Sequence, residues 1–176
     1  MSFRLGLTGS IGMGKSTTAA MFAAADVPVW DADAAVHRLY APDGAAVAPL
    51  ARLHPAALRD GQIDRAILKT WIAADPTTLA RIEAVVHPLV AADRAQFLAA
   101  ATSDIVVLDI PLLFEKSSQT EFDATLLVTA PPDLQRARVL ARPGMTEAQF
   151  ETLLARQMPD RDKRRLATHI VETLDL

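Results

Sequence analysis

Five short runs of apolar and β-branched residues, at positions 3–7, 27–30, 105–109, 124–129 and 169–172, stand apart along the chain. Between them, apolar residues return every three or four positions, the period of a helix with one buried face. Strands alternating with helices predict an α/β fold built on a parallel sheet. Positions 17–25 read as the first helix. The interval 33–103 holds no strand candidate and reads as helices, chiefly 64–73 and 76–101. In the second of these, Asp75 suits the N-cap and Pro76 the first helical position. Leu79, Ile82, Val85, Val86, Leu89 and Val90 give it an apolar stripe, and Pro88 predicts a kink. Gly44 and Gly61 mark turns. The whole interval reads as a helical insertion beside the sheet, suited to a second substrate.

Composition narrows the class. At 176 residues with 51% hydrophobic content, the chain suits one domain with a helix-rich core. A net charge of −3 gives no reason to expect a nucleic-acid partner, and the basic run 161–165 (RDKRR) reads as a solvated helix face. The absence of cysteine excludes disulfides and thiolate metal sites. A strand within three residues of the start leaves no room for a signal peptide, and no apolar run approaches the ~20 residues of a membrane span. The expectation is a cytoplasmic protein without a membrane partner, and a monomer.

Candidate chemistry begins at "LGLTGSIGMGKSTTAAMF", residues 5–22. Gly9, Gly14, Lys15 and Ser16 match the phosphate-binding loop pattern G-x-x-x-x-G-K-[ST], between a strand and a helix as that pattern requires. Glycines let the backbone approach a phosphate, and the N-terminus of the following helix adds partial positive charge. Gly9, Ser10, Ile11, Gly12, Met13, Gly14, Lys15, Ser16 and Thr17 are therefore expected to hold a nucleoside triphosphate. Lys15 would reach the β- and γ-phosphates, and Ser16 would ligate Mg²⁺. A glycine-rich turn with an incidental lysine is the plain alternative.

The stretch "VPVWDADAAVHRL" places Asp31 and Asp33 at a strand's C-terminal tip, where α/β sheets bind ligands. Two carboxylates there suit Mg²⁺ ligation, with Asp31 as the metal-side residue, and proton acceptance from an attacking hydroxyl, with Asp33 as the base. Capping of the next helix is the alternative for either. Residues 134–157 read as a helical lid in which Arg138 and Arg142, four apart on one helix face, stabilise the transferring phosphoryl group. Their alternative is pairing with Glu147 or Glu151. Asp109 ends an apolar strand in the manner of a second acidic nucleotide-site motif. The organisation expected is a single domain with core 1–33, 103–135 and 158–176, insertion about 34–102 and lid about 136–157. Switch-GTPase motifs (Asn-Lys-x-Asp, Asp-x-x-Gly) are absent, which favours a small-molecule kinase.

"LTGSIGMGKST", "DADAAVHRLY", "GQIDRAIL", "VVHPLV", "LDIPLLFE" and "LLARQ", in this order over nearly the whole chain, resemble the dephospho-coenzyme A kinase family. The resemblance implies a P-loop NTPase-type five-stranded parallel sheet flanked by helices, with a substrate-binding insertion and a lid. It implies transfer of the ATP γ-phosphoryl to the ribose 3′-hydroxyl of dephospho-coenzyme A, with Asp33 as base and Arg138 and Arg142 in the lid. Arg65 and His87 fall in motifs of the substrate region. Pro111, Leu112, Leu113, Phe114 and Glu115 match the segment lining the acceptor pocket. His87 could instead be a kink histidine, and 112–114 simple core. The sequence ends at "HIVETLDL", before the loop and helix that family members carry there, so ATP rather than GTP is implied by resemblance alone. A kinase for another acceptor such as a nucleoside monophosphate, or a nucleotide-binding regulatory protein without transfer, are the alternatives.

Overall fold

A computed structural model of the protein describes residues 2–174. In chain order it comprises β1 (Phe3–Thr8), α1 (Lys15–Ala24), β2 (Val29–Asp31), α2 (Ala32–Tyr40), α3 (Val47–Leu53), β3 (Leu58–Arg59), β4 (Gln62–Ile63), α4 (Arg65–Ala74) and α5 (Thr78–Ala100). There follow β5 (Ile105–Asp109), β6 (Ala124–Thr129), α6 (Pro132–Leu140), α7 (Glu147–Ala155), α8 (Asp160–Leu166) and β7 (His169–Glu172). These fall into two compact units, residues 1–31 with 101–176, and residues 32–100.

The first unit is a five-stranded sheet in the order β2-β5-β1-β6-β7. Every pairing is parallel. Strands buried on both faces need continuous apolar runs, and β6 is buried at all six positions. Leu7, Val107, Leu126 and Val128 form its core, with Phe22 of α1 packed against them. Because the strands run parallel, their C-terminal tips meet at one edge. Asp31 pairs in register with Asp109, and Asp109 with Leu7. The sequence placed β2 at 27–30; the strand is shifted to Val29–Asp31, so Asp31 is its last residue.

The second unit packs α2, α3, α4 and α5 around Leu39, Leu50, Ile63, Leu68, Ile82 and Val86. Arg38 of α2 donates to Asp93 of α5 at 2.6 Å. The expectation that this interval lacks strands is corrected. Leu58 pairs with Ile63 and Arg59 with Gln62 in an antiparallel hairpin. Its two-residue turn, Asp60 (φ 48°) and Gly61 (φ 77°), has the left-handed backbone that favours Asp-Gly in a tight hairpin. Two-residue strands lie below the length at which alternation is visible. The helix expected from Pro76 starts at Thr78 instead. Asp75 Oδ1 accepts the Thr77 N–H at 2.9 Å, in a turn that precedes the helix. α5 then runs as one element through Pro88.

Asp64 caps α4: its Oδ1 accepts the N–H groups of Ala66 at 2.8 Å and Ile67 at 3.2 Å. Ile63 before it is core at 5% exposure. Asp64→Ala is expected to lower unfolding free energy by about 1 kcal/mol, and Asp64→Asn by only a few tenths, in urea titrations.

Candidate active site

The loop 9–14 is held by its neighbours while its helix end stays open. A Cβ on Gly9 would fall 2.7 Å from the Val128 carbonyl oxygen, so only glycine lets the loop lie on β6. Gly12 (φ 75°) and Gly14 (φ 94°) take the left-handed backbone, and Gly14 is the N-cap of α1. Among the described residues no side chain caps that helix. Its first-turn N–H groups, which the helix leaves without partners, therefore face the loop's concavity.

Other residues fix the loop from behind. The Ile11 N–H donates to Gln157 Oε1 at 3.1 Å, and Gln135 Nε2 donates to the Ile11 carbonyl at 2.8 Å. Gln135 is buried, at 4% exposure. The Met13 carbonyl accepts Thr173 Oγ1 at 2.7 Å, and Met13 Sδ accepts the Ala130 N–H at 3.0 Å. Lys15 Nζ lies 2.5 Å from Asp109 Oδ1. A buried carboxylate at the β5 tip thus sets the lysine's direction. Asp109, left open by the sequence, is the partner of Lys15. Gln135, Gln157 and Thr173 were missed, because a neutral side chain that buttresses a loop leaves no periodic or charge signature.

Ser16 lies exposed in the first turn of α1, and Asp31 stands beside Asp109 at the sheet edge. A hydroxyl and strand-tip carboxylates are hard oxygen donors of the kind that accompany nucleotide-bound Mg²⁺, which keeps most of its ligands as water and phosphate. Among the described residues no group of three or more His, Asp or Glu side chains forms a metal cluster.

The arginine pair is corrected. α6 ends at Leu140, so Arg142 lies outside the helix and shares no helix face with Arg138. Gly144 (φ 75°) and the Met145 N–H donating to the Arg142 carbonyl at 3.1 Å close a turn there. Arg138 is committed elsewhere: its Nη1 donates to Thr173 Oγ1 and its Nη2 to the Thr173 carbonyl, both at 2.9 Å. Thr173, whose Oγ1 donates to the Met13 carbonyl, links it to the phosphate loop. The partner of Glu147 is Arg136, whose Nε donates to Oε1 at 2.9 Å. Arg142 is exposed, and its side chain makes no hydrogen bond or ion pair among the described residues.

In the turn after β5, Leu113 and Phe114, expected against the acceptor, are core residues at 0% and 2% exposure. Gly6 leaves the space that Leu113 fills. Pro111 is half-buried and Leu112 exposed. Glu115 accepts the Met158 N–H at 2.9 Å and lies 2.8 Å from Lys163 Nζ. Lys163 has 0% exposure, which corrects the reading of 161–165 as a wholly solvated face. Arg164 is also committed, to Asp160 at 2.7 Å and Glu172 at 2.9 Å. In the second unit, Asp33 is exposed in the first turn of α2. Arg65 lies 5.4 Å from the Tyr40 ring centre. His87 is exposed on α5, 3.7 Å from Glu83 Oε1.

Burial pushes the Glu115 carboxyl up, yet the Lys163 ammonium and the Met158 N–H outweigh it and hold the group below the ordinary glutamate range. A depressed folded-state value means stability that is complete above the unfolded-state value and lost as pH falls through the folded one. Glu115→Gln strands a buried ammonium, so it is expected to destabilise by about 3 kcal/mol at pH 7. Chemical denaturation from pH 7 down to pH 3 should show the gap to wild type narrowing on acidification.

A dephospho-CoA kinase family profile matches residues 3–174. The dephospho-CoA kinase of Cereibacter sphaeroides is 74% identical over 99% of this chain and 88% of its own length. That of Jannaschia sp. strain CCS1 is 61% identical over 98% and 89%. The crystal structure of TT1252 from Thermus thermophilus superposes with a TM-score of 0.88 at 37% identity, covering 99% of this chain and 90% of that one. A Campylobacter jejuni dephospho-CoA kinase shares the fold at 20% identity, TM-score 0.73, over 100% and 90%. The open helix end, the lysine held on a strand-tip carboxylate and these matches over almost every residue agree: the chain belongs to the dephospho-CoA kinase family.

Proposed function

We propose that this protein transfers the γ-phosphoryl of ATP to the ribose 3′-hydroxyl of dephospho-coenzyme A, giving coenzyme A and ADP, the last step of coenzyme A biosynthesis. The observation that carries the reading is the uncapped α1 N-terminus behind Gly14, with Lys15 aimed by Asp109, in a chain of this family. The 74% identity over 99% of the chain supports the acceptor assignment.

The roles follow from the chemistry and placement of each side chain. The N–H groups of the loop and of the first turn of α1 bind the β- and γ-phosphates, and Lys15 exchanges its Asp109 partner for phosphate oxygen. Gln157, Gln135 and Thr173 keep the loop in shape, so phosphate binding needs little rearrangement. Arg142 is the lid cation that meets charge developing on the transferring group, and residues about 136–157 are the lid. Arg138 positions the loop through Thr173 instead of touching the phosphoryl. Asp33 orients the ribose hydroxyl and takes its proton. Ser16 and Asp31, the latter through water, would hold Mg²⁺ with the nucleotide, and the ion would there offset negative charge on the phosphates. The insertion about 34–102 receives the acceptor, and the protein works as a monomer in the cytoplasm. No helix among the described residues is long and apolar enough to cross a membrane.

Incubation with Mg-ATP and a panel of acceptors tests the reading: ADP release is expected with dephospho-coenzyme A and not with nucleoside monophosphates. Release with the monophosphates alone would move the assignment to another kinase. Two variants test the residues. Lys15→Ala should nearly abolish turnover in a protein that still folds, since it removes several kcal/mol of transition-state stabilisation. Asp33→Asn should lower turnover by about 10²–10⁴ while ATP affinity and thermal stability stay near wild type. Unchanged turnover would reduce Asp33 to a helix-end residue.

A further inference from the structure

The loop residue Ile11 carries two hydrogen bonds that phosphate binding alone does not call for. Its N–H donates to Gln157 Oε1 at 3.1 Å, and its carbonyl accepts Gln135 Nε2 at 2.8 Å. The two glutamines stand at opposite ends of the lid, yet they close on the two polar groups of one residue. Each end is anchored in turn. On the α6 side, Gln135 is buried and Val139 has 0% exposure. A Cβ on Gly12 would strike Val139 Cγ2 and lie 3.0 Å from the Gln135 carbonyl oxygen, so α6 rests directly on the loop. On the other side, Met158 donates its N–H to Glu115 at 2.9 Å, and Glu115 meets the fully buried Lys163 at 2.8 Å. Asp160 Oδ1 accepts the Thr129 hydroxyl at 2.9 Å. Thr129 ends β6, so this segment is fixed to the same sheet edge as the loop.

The stretch between these anchors is held far less firmly. Residues 141–156 are exposed apart from Met145 and Phe150. Arg136 pairs with Glu147 at the surface, where solvent weakens such a pair. Leu153 and Leu154 of α7 stand at 37% and 38% exposure. A segment fixed at its ends and loose between them keeps its place over the loop only as well as the ends do. Arg142 lies within it, in the turn after α6. Neutral amides suit the task. A glutamine supplies a donor and an acceptor without a charge that competes with phosphate for the loop's N–H groups or for Lys15. We propose that Gln135 and Gln157 are positioning residues for phosphoryl transfer: clamped on Ile11, they hold lid and phosphate loop in one register, so that Arg142 reaches the transferring group. The proposal rests on the kinase reading above, with residues about 136–157 as the lid, and adds what sets the lid's place.

Gln157→Met and Gln135→Met keep the length of the side chain and remove the hydrogen bond to Ile11. Each should lower turnover by about 10–100-fold, the cost of misplacing a group at the reacting centre by about 1 Å. The KM for dephospho-coenzyme A should stay within about twofold of wild type. In an Arg142→Ala background the same substitutions should cost less than about threefold, because the cation they place is gone. Hydrogen exchange gives a readout that needs no turnover. Mg²⁺ with a non-hydrolysable ATP analogue should slow exchange across 141–156 in wild type, and each methionine variant should lose most of that slowing. Gln157 is half-buried, so its variant tests the claim even if Gln135→Met unfolds more readily. Wild-type turnover and slowing in Gln157→Met, or a loss of equal size with and without Arg142, would overturn the clamp and leave the kinase intact. No slowing across 141–156 in wild type would overturn the lid, and no ADP release with dephospho-coenzyme A the kinase reading; either takes the clamp with it.

Discussion

Everything near the sheet edge answers to one constraint: a row of backbone N–H groups at the start of α1 must stay uncovered by the protein's own side chains. A helix usually recruits a Ser, Thr, Asp or Asn to satisfy that end. Here Gly14 occupies the position and supplies no side chain. The loop in front of it is consequently held by residues that bind its other polar groups. Gln157 and Gln135 take the N–H and carbonyl of Ile11, Thr173 takes the Met13 carbonyl, and Ala130 donates to the Met13 sulfur. The open end is thus backed by a network drawn from α6, from the residue pair after α7 and from the end of β7. Removing the charge of Lys15 would leave that network in place, which is why chemistry and folding separate at this residue.

The cations divide by what they are already doing. Lys163 is buried against Glu115, Arg136 holds Glu147, Arg164 bridges Asp160 and Glu172, and Arg138 is tied to the Thr173 and Leu174 carbonyls. These are structural commitments. Lys15 sits on a carboxylate that phosphate oxygen can replace, while Arg59, Arg65 and Arg142 make no ion pair among the described residues. All three are exposed, so each keeps its guanidinium donors available to an anionic ligand.

The sequence made the sheet and the loop legible for physical reasons. Parallel strands buried on both faces must be near-continuous apolar runs, and the loop's glycines and lysine are imposed by backbone chemistry at fixed spacing. The hairpin at 58–63 escaped because two-residue strands carry no alternation, although Asp60-Gly61 is the turn signal that could have revealed it. Arg138 and Arg142 look like helix neighbours by spacing, but the helix ends two residues before Arg142, ahead of the Pro143-Gly144 turn. Leu113 and Phe114 could not be assigned from sequence between core and pocket, since apolar residues serve both; their burial decides it. "GQIDRAIL" becomes intelligible residue by residue: Gly61 turns the hairpin, Gln62 and Arg65 line a cavity, Ile63 enters the core and Asp64 caps α4.

The central claim is the identity of the oxygen that receives the phosphoryl group. Phosphorus NMR of the product formed from Mg-ATP and dephospho-coenzyme A reads it directly. The account predicts one new phosphomonoester resonance, coupled to the ribose 3′ proton, growing in step with ADP. ADP formed with inorganic phosphate alone, or a phosphomonoester on the 2′-oxygen or any other acceptor atom, would contradict it.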